Sequence, residues 1–217
     1  MINWNGAWDW VFPRWCVRCE APAWGEDMPL GACWACALSW PDVRGTAGQV
    51  LFADRVYGIR GALGFRLRGA PELHPLVHRI KYGGDRWLAE RAGRWLAAGN
   101  DPPGTVLVPV PLHWRRKARR GYNQAELIAR GAGRHWHLPV ARDALLRRQH
   151  QASLTGSNRT TRQQTLGATY EARPPTGPHR AVLVDDVLTT GATLRACATA
   201  LEAKGWQVTG AAVLALA

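Results

Sequence analysis

The segment from Ala181 to Leu194 strongly constrains what this chain can fold into. It reads AVLVDDVLTTGATL, in which an apolar run ends at two adjacent carboxylates, Asp185 and Asp186, and a loop rich in Thr and Gly opens a helix. Backbone N–H groups at a helix N-terminus attract anions, because they point outward and the helix dipole is positive there. Gly lets the backbone approach a phosphate closely, and the carboxylates suit the vicinal hydroxyls of a ribose. The segment therefore predicts a strand end that binds a ribose 5-phosphate group.

Strands and helices are predicted to alternate along the chain, from β-branched runs and from apolar residues at helical spacing. The predicted strands are Gly104–Val110, Pro139–Leu146, His179–Val184 and Gln207–Ala215. The predicted helices are Leu76–Leu96 (interrupted at Gly83 and Gly84), Tyr122–His135 (with Gly121 or Asn123 as its start signal) and Ala192–Lys204, while Gln149–Thr165 is interpreted as a mobile loop or a weak helix. This alternation predicts an α/β fold with a mostly parallel sheet, and ligand sites near Val110–Trp114 and Asp185–Thr193, at the carboxyl ends of strands.

Four of the five cysteines form two C-x-x-C pairs: Cys16, Cys19, Cys33 and Cys36. Two turns that each present two thiolates make a tetrahedral set suited to structural Zn²⁺. Two disulfides are the alternative. We expect them less, because the sequence shows no signal peptide and disulfides are rare in intracellular proteins. Cys197 lies on an apolar helical face and is expected in the core. We expect residues 1–48 to form a zinc-ribbon segment and residues 49–217 to form the α/β domain.

The net charge of +12 is distributed unevenly over the 217 residues. Residues 1–60 carry a net charge of −1 and residues 61–217 a net charge of +13, which predicts a polyanionic partner. Five of the six residues Arg115–Arg120 are cationic, and they are interpreted as contacts to pyrophosphate, as contacts to a DNA backbone, or as a solvated face. The apolar runs fall short of the roughly 20 residues of a membrane helix, so we expect a soluble, cytoplasmic protein.

Two motifs identify a resemblance that spans nearly the whole chain. Residues 181–194 resemble the phosphoribosyl pyrophosphate (PRPP) motif of type I phosphoribosyltransferases. The segment VPVPLHWRRKARRGYNQ, which begins at Val108, resembles the hallmark of the ComF family, in which an N-terminal zinc ribbon accompanies a phosphoribosyltransferase domain. The cysteine pairs, the IKYGGD segment at Ile80 and the residues Gln151, Leu154 and Arg159 are similar to that family as well. Arg162 departs from it, since Asn is usual there.

The resemblance implies a type I phosphoribosyltransferase-like fold and a set of site residues. It gives Asp185 and Asp186 the catalytic role of binding the ribose hydroxyls. The 5′-phosphate role falls to Val187, Thr189, Thr190, Gly191, Ala192 and Thr193. Pyrophosphate would meet Pro111, whose peptide bond is a candidate for the cis form, together with Arg115, Arg116 and Lys81. Arg148, Gln151 and Arg159 are candidates in a loop that covers PRPP.

Three functions follow from the resemblance. One is a Mg²⁺-dependent transfer of ribose 5-phosphate from PRPP to an unidentified acceptor, in the service of DNA uptake during natural competence. The second is a competence protein that binds single-stranded DNA, and the third is a regulator that senses PRPP without turnover. A homodimer or a partner from the competence machinery is expected in addition. No residue set in the sequence specifies the acceptor.

Overall fold

The computed structural model describes residues 14–23, 29–33, 35–36, 60–67, 73–148, 169–177 and 179–217. Its strands are β1 (Arg14–Trp15), β2 (Pro22–Ala23), β3 (Arg60–Arg66), β4 (Val106–Pro109), β5 (Leu145–Arg147), β6 (Tyr170–Ala172), β7 (Arg180–Leu188) and β8 (Gln207–Leu216). Its helices are α1 (His74–Tyr82), α2 (Arg86–Ala98), α3 (Trp114–Arg120), α4 (Gln124–Trp136) and α5 (Ala192–Glu202), with a 3₁₀ turn at Pro29–Gly31.

A four-stranded parallel sheet forms the centre of the fold, in the order β3-β8-β7-β4. Side chains of β7 alternate between its two faces, as the pleat of a strand requires. Val182 and Val184 join the core that contains α2 and α4, whereas Ala181 and Leu183 join the core that contains α5 and the hairpin β5–β6. The predicted α/β fold with a parallel sheet flanked by helices is confirmed.

Local signals in the sequence fix where the helices begin. The side chain of Asp85 caps α2 by accepting a hydrogen bond from the N–H of Leu88 at 2.9 Å. Asn123 caps α4 in the same way, through the N–H of Ala125 at 3.2 Å. Both are strong N-cap residues, because a short side-chain oxygen satisfies a backbone N–H that has no partner within the helix. The start signal at Asn123 and the break at Gly83 and Gly84 are therefore confirmed.

Two strand predictions need correction. The single strand predicted at Pro139–Leu146 is wrong: Val140 makes an isolated bridge to Leu107, a turn follows, and a separate strand begins at Leu145. The strand predicted at His179–Val184 begins at Arg180 and continues through both carboxylates to Leu188. The extension arises because β8 pairs with β7 along this whole length.

Three further expectations concern the peptide bond at Pro111, the loop Gln149–Thr165 and membrane-spanning helices. Every peptide bond in the described residues is trans, so the expectation of a cis bond at Pro111 is wrong. The loop predicted at Gln149–Thr165, including Gln151, Leu154, Arg159 and Arg162, lies outside the described residues. None of the described helices combines the length and the apolar character that crossing a membrane requires.

Candidate functional site

The acidic pair lies near the carboxyl end of β7, with Asp186 directed towards α1 and α4. Its Oδ2 atom lies 3.4 Å from the ammonium of Lys81 in α1 and accepts a hydrogen bond from the Nε2 of Gln124 at 3.1 Å. Asp186 is only 6% exposed. A carboxylate this deeply buried requires such partners, because water no longer solvates its charge. Lys81, which the sequence assigned to pyrophosphate, is therefore brought directly to the acidic pair.

Asp185 belongs to the opposite side of the strand, towards the core formed by α5 and the hairpin β5–β6. Its Oδ1 accepts a hydrogen bond from the backbone N–H of Asp186 at 2.9 Å. Burial raises the pKa of Asp185 well above its usual range, and the neighbouring charge of Asp186 raises it further. The backbone hydrogen bond and the charge of Lys81 act in the other direction but do not compensate. Asp185 therefore holds a proton more readily than an aspartate in water does.

The segment after the acidic pair turns sharply into α5. Val187 is half-buried and pairs with Ala215 of β8, whereas Thr189 and Thr190 are exposed. Gly191 adopts a left-handed conformation with φ of 75°, which an L side chain rarely adopts. No side chain caps the start of α5. The backbone N–H of Ala192, the first residue of α5, donates a long hydrogen bond of 3.4 Å to the Thr190 hydroxyl. This start of a helix has the geometry of an anion site.

A segment quoted in the ComF hallmark holds the site together. The Tyr122 hydroxyl donates to the carbonyl oxygen of Ile80 at 2.6 Å, and the Asn123 amide donates to that of Val110 at 3.0 Å. These bonds join α1, the end of β4 and the start of α4. Together with the bond from Gln124 to Asp186, they fix the position of Lys81. The sequence predicted Asn123 only as the start signal of a helix and gave no role to Tyr122 or Gln124, whose only signal was the motif itself.

The other residues predicted to meet pyrophosphate have different surroundings. Pro111 lies in the loop after β4, and Arg115 and Arg116 are exposed on α3. Neither arginine forms a salt bridge with the described residues, although the Arg115 guanidinium stacks 5.3 Å from the centre of the Trp114 ring. Arg148, a candidate for the covering loop, instead forms a salt bridge of 2.8 Å with Glu171.

The four N-terminal cysteines converge in space. Their Sγ atoms all lie within 4.8 Å of one another, and those of Cys19 and Cys33 are 3.8 Å apart. Tetrahedral coordination with Zn–S bonds of about 2.3 Å requires S···S separations of roughly 3.8 Å, so the cluster could hold a metal ion such as zinc. Burial opposes ionisation of Cys16, but hydrogen bonds, including those from the N–H groups of Cys33 and Arg18, lower its pKa to about 6. Burial and the neighbouring thiols raise the pKa of Cys36 to about 12.

The cysteine cluster is also part of the main core. Cys16, Val17 and Leu30 are buried in the same cluster of apolar residues as Leu88 of α2. Arg79 of α1 donates to the carbonyl oxygen of Trp15 at 3.3 Å. A metal ion at this site would therefore stabilise contacts with the α/β domain as well as its own loop. Cys197 is fully buried in the other core, as predicted.

Comparisons with known proteins support the resemblance. No family model matches the chain. DNA utilization protein YhgH of Escherichia coli K12 is 28% identical over 199 residues, covering 88% of this chain and 78% of YhgH. Competence protein F of Haemophilus influenzae is 32% identical over 141 residues, covering 60% of this chain and 62% of that protein.

A glutamine PRPP amidotransferase from B. subtilis, solved with ADP and GMP, matches with a TM-score of 0.47 and 17% identity over 63% of this chain and 30% of its own. In this chain, Asp185 and Asp186 lie near the end of a parallel strand and Gly191 precedes the helix that follows. The relationship of this chain to known proteins is established by the sequence similarity to YhgH and Competence protein F. The chain is a homologue of Competence protein F and of YhgH, as its ComF-type motifs predicted.

Proposed function

We propose that the chain binds PRPP at the end of β7 and transfers its ribose 5-phosphate group to an acceptor, with release of pyrophosphate. One observation carries this proposal: an acidic pair on a parallel strand, with Asp186 buried and Asp185 half-buried, is followed by the exposed Thr189 and Thr190 and by the left-handed Gly191 at a helix start without a side-chain cap. This order matches the order of chemical groups in a ribose 5-phosphate, with two hydroxyls on one side and a phosphate on the other.

The proposed binding roles follow the chemistry of each group. Asp185 and Asp186 accept hydrogen bonds from the ribose hydroxyls. The segment from Val187 to Thr193, through its backbone N–H groups and the hydroxyls of Thr189, Thr190 and Thr193, binds the 5′-phosphate. Lys81 aligns Asp186, since its ammonium lies 3.4 Å from that carboxylate. Gln124 orients the same carboxylate by its hydrogen bond.

The proposed transfer exchanges one bond at C1 of the ribose. The bond to the pyrophosphate oxygen breaks and its electron pair leaves with pyrophosphate, while a lone pair of the acceptor forms the new bond and the acceptor then loses a proton to solvent. Positive charge develops on the ribose ring, where the carboxylates stabilise it. Lys81, the Pro111 loop, Arg115 and Arg116 would meet the departing anion. Mg²⁺, carried in with PRPP, would neutralise charge on the pyrophosphate.

Calorimetric titration of PRPP with Mg²⁺ tests the site. We expect micromolar binding by the wild type and a loss of about 30-fold or more in the double variant Asp185→Asn/Asp186→Asn, because two charge-assisted hydrogen bonds are weakened. Asp143→Asn is the matched control, since Asp143 is exposed and lies outside the β7 segment. Absence of binding by the wild type would refute the PRPP proposal.

Measurement of pyrophosphate release separates an enzyme from a sensor. Incubation with PRPP, Mg²⁺ and a panel of purine, pyrimidine and pyridine bases should release pyrophosphate with at least one acceptor. Saturable PRPP binding without release by any acceptor would favour the sensing function.

A second candidate function is the binding of single-stranded DNA, favoured by a specific surface. Tyr82 and Trp114 are 54% and 49% exposed. Arg120 lies 4.7 Å and Arg119 6.0 Å from the centre of the Tyr82 ring, and Arg115 stacks on Trp114. Exposed aromatic rings interleaved with cations suit stacked bases and phosphates. The names of the relatives, a DNA utilization protein and a competence protein, agree with a role in DNA uptake.

The remaining parts of the proposal concern organisation. We propose that residues 1–48 form the zinc-binding segment and residues 49–217 the phosphoribosyltransferase-like domain. A cytoplasmic location fits a PRPP-dependent reaction, because a soluble phosphorylated metabolite is its substrate. A homodimer or a competence-machinery partner remains part of the proposal, and analytical ultracentrifugation tests the former.

A further inference from the structure

A cleft of 410 Å³ opens beside the loop that follows β4. It lies between Pro111 and Leu112 of this loop, Trp114 of α3, the start of α4 and the β5 strand that ends at Arg147. Its volume falls in the range of about 300–1,000 Å³ that is typical of small-molecule sites. No residue between Asp185 and Thr193 lines it. The cleft is therefore distinct from the proposed sites for the ribose and its 5′-phosphate, and it shares only Pro111 with the residues proposed to meet pyrophosphate.

The carboxylates that line this cleft have salt-bridge partners, whereas two of its cations have none among the described residues. Its two carboxylates already have partners, because Glu126 pairs with Arg130 at 2.6 Å and Asp143 pairs with Arg142 at 3.7 Å. The ammonium of Lys117, which also lines the cleft, forms no salt bridge with any described residue. The cleft therefore has positive charge to offer to a ligand.

Arg147 is a second cation that lines the cleft and has no salt bridge with the described residues. Its guanidinium lies 5.5 Å from the centre of the buried Tyr170 ring, which restricts its orientation. Its Nε atom is buried and has no hydrogen-bond partner. An unpaired buried N–H is unfavourable, and more so when it carries charge. The pKa of His113 is lowered by burial and then by the charges of Arg147, Arg115 and Arg116, in agreement with a positive field at this end of the molecule.

Apolar side chains also line the cleft. They are Leu112 of the loop, Trp114, which is 49% exposed, and Leu146, which is 41% exposed. Large apolar side chains that face a cleft are candidates for contact with a flat ring, since covering them removes apolar surface from water. Apolar side chains suited to a ring and cations suited to an anion therefore line the same cleft.

We propose that this cleft binds a nucleoside monophosphate, with its base against Leu112, Trp114 and Leu146 and its phosphate on Arg147 and Lys117. The proposed ligand combines a base and a phosphate, because the apolar side chains alone would accept many rings and the cations alone would accept any anion. The proposal goes beyond the proposed function, since it concerns a second site that does not use the acidic pair of β7.

Equilibrium dialysis with radiolabelled AMP tests the proposal, with adenosine and inorganic phosphate as separate ligands. We expect AMP to bind with one site per chain, and adenosine and phosphate each to bind at least about tenfold more weakly. Arg147→Gln should weaken AMP binding by about 10-fold to 100-fold, because a hydrogen bond to a charged group is lost. Leu146→Ser should weaken AMP binding and leave phosphate binding unchanged.

Two controls locate the bound nucleotide. Arg173→Gln removes an exposed arginine outside the cleft and should leave AMP affinity unchanged. Asp185→Asn/Asp186→Asn should also retain full AMP binding, whatever happens to PRPP. Loss of AMP binding in this double variant would overturn the proposal by placing the nucleotide at β7.

Other outcomes also overturn the proposal. Equal affinity for AMP and phosphate would show a general anion site. Binding of a single-stranded oligonucleotide but not of AMP, again sensitive to Arg147→Gln, would assign the cleft to a DNA strand. Dissociation of a dimer by Leu146→Ser, without any AMP binding by the wild type, would assign it to a second copy of the chain.

Discussion

Asp185 illustrates how a residue proposed to bind ribose can work against stability. Its pKa is raised mainly by burial and then by the charge of Asp186, so the folded protein holds this proton more tightly than the unfolded chain does. The contribution of the protonated group to the free energy of unfolding is fully present below the ordinary pKa of 3.8. It is lost as the pH rises through the raised pKa of the folded state. Above pH 3.8 the unfolded chain releases this proton more readily than the folded protein does, so Asp185 lowers the free energy of unfolding at neutral pH.

Asp185→Asn should therefore raise the melting temperature at pH 8, because the amide is neutral and resembles the carboxyl group in shape. A gain of about 1 kcal/mol corresponds to about 2–4 °C in a chain of this size. The difference from the wild type should shrink as the pH falls towards 4, which thermal denaturation at several pH values measures. Asp143→Asn, at an exposed carboxylate, should change the melting temperature little. A variant less stable than the wild type at pH 8 would contradict this account.

The sequence was informative about residues whose role depends on near neighbours. Asp185, Asp186 and Gly191 could be predicted as a group because a strand, a turn and a helix start follow one another without interruption. Gln124 and Arg147 could not be predicted. Gln124 reaches Asp186 across 62 positions of sequence, and the unpaired Nε of Arg147 results from tertiary packing alone. No local pattern records such contacts.

At the scale of elements, the close approach of α2 and α4 positions much of the site. Gly93 faces the backbone of Ile128, and Gly131 faces the backbone of Glu90, with no room for a Cβ atom at either position. The absence of side chains lets the two helices touch along their backbones. This contact fixes the start of α4, and with it Asn123 and Gln124, relative to α1 and Asp186.

Gly131→Ala should destabilise the protein by about 1–3 kcal/mol, because the added methyl group would overlap the carbonyl oxygen of Glu90 and force the helices apart. Urea denaturation followed by circular dichroism measures the free energy of unfolding. Gly177→Ala is the control, since the nearest atom to its Cβ would be His179 Nε2 at 3.9 Å. Equal stability of the Gly131→Ala variant and the wild type would show that the helices separate at little cost.

The errors in the predicted elements also have a physical explanation. The stretch Pro139–Leu146 has the apolar content of a strand, but its first three residues pair with Leu107, through the carbonyl of Pro139 and the N–H of Ala141. A turn then carries the chain to the separate hairpin β5–β6. Conversely, the charged Asp185 and Asp186 seemed to end a strand, yet β8 continues to pair with β7 through Leu188. Strand ends depend on the partner, which the sequence of one segment does not contain.

At the scale of the whole molecule, the cysteine segment and the α/β domain share a core. Cys16, Val17 and Leu30 are buried with Leu88 of α2, and a Cβ atom at Gly31 would approach Leu88 to 3.1 Å. The pattern of two C-x-x-C pairs predicted the cluster of thiols. It did not predict this packing, because the contact depends on apolar residues of both segments.

Cys19→Ser should therefore lower both metal content and global stability. Cys19 is exposed, so its replacement removes a ligand with little direct loss of packing. We expect atomic absorption to find about one zinc per wild-type chain and almost none in the variant. We also expect the melting temperature to fall by more than about 5 °C, because metal binding contributes to the folding free energy. Cys197→Ala, which removes a buried thiol outside the cluster, should retain the zinc. Full zinc content in the Cys19→Ser variant would refute the four-thiolate site.

Helix α3 carries a dense cluster of positive charge, since five of the six residues Arg115–Arg120 are cationic. Its arginines Arg115, Arg116 and Arg119 are exposed, and none forms a salt bridge with the described residues. Exposed cations bind nucleic acid by releasing the counterions of its phosphates, so the logarithm of affinity falls with the logarithm of salt concentration. The slope for a single strand is about −0.7 per phosphate contact. If α3 is the contact surface, this slope reports how many of its arginines meet phosphate.

Replacement of Arg115, Arg116 and Arg119 by Gln should reduce the magnitude of this slope by about 2 for an oligothymidylate, because about three phosphate contacts are lost. Fluorescence anisotropy between 25 and 300 mM salt, about one decade, measures the slope. The matched control is Arg173→Gln/Arg180→Gln/Lys204→Gln, which removes the same charge from exposed positions outside α3. Equal changes in both triple variants would mean that net charge alone attracts the strand. A slope that changes only in the α3 variant would mean that α3 itself lies against the DNA backbone, beside the aromatic rings of Tyr82 and Trp114.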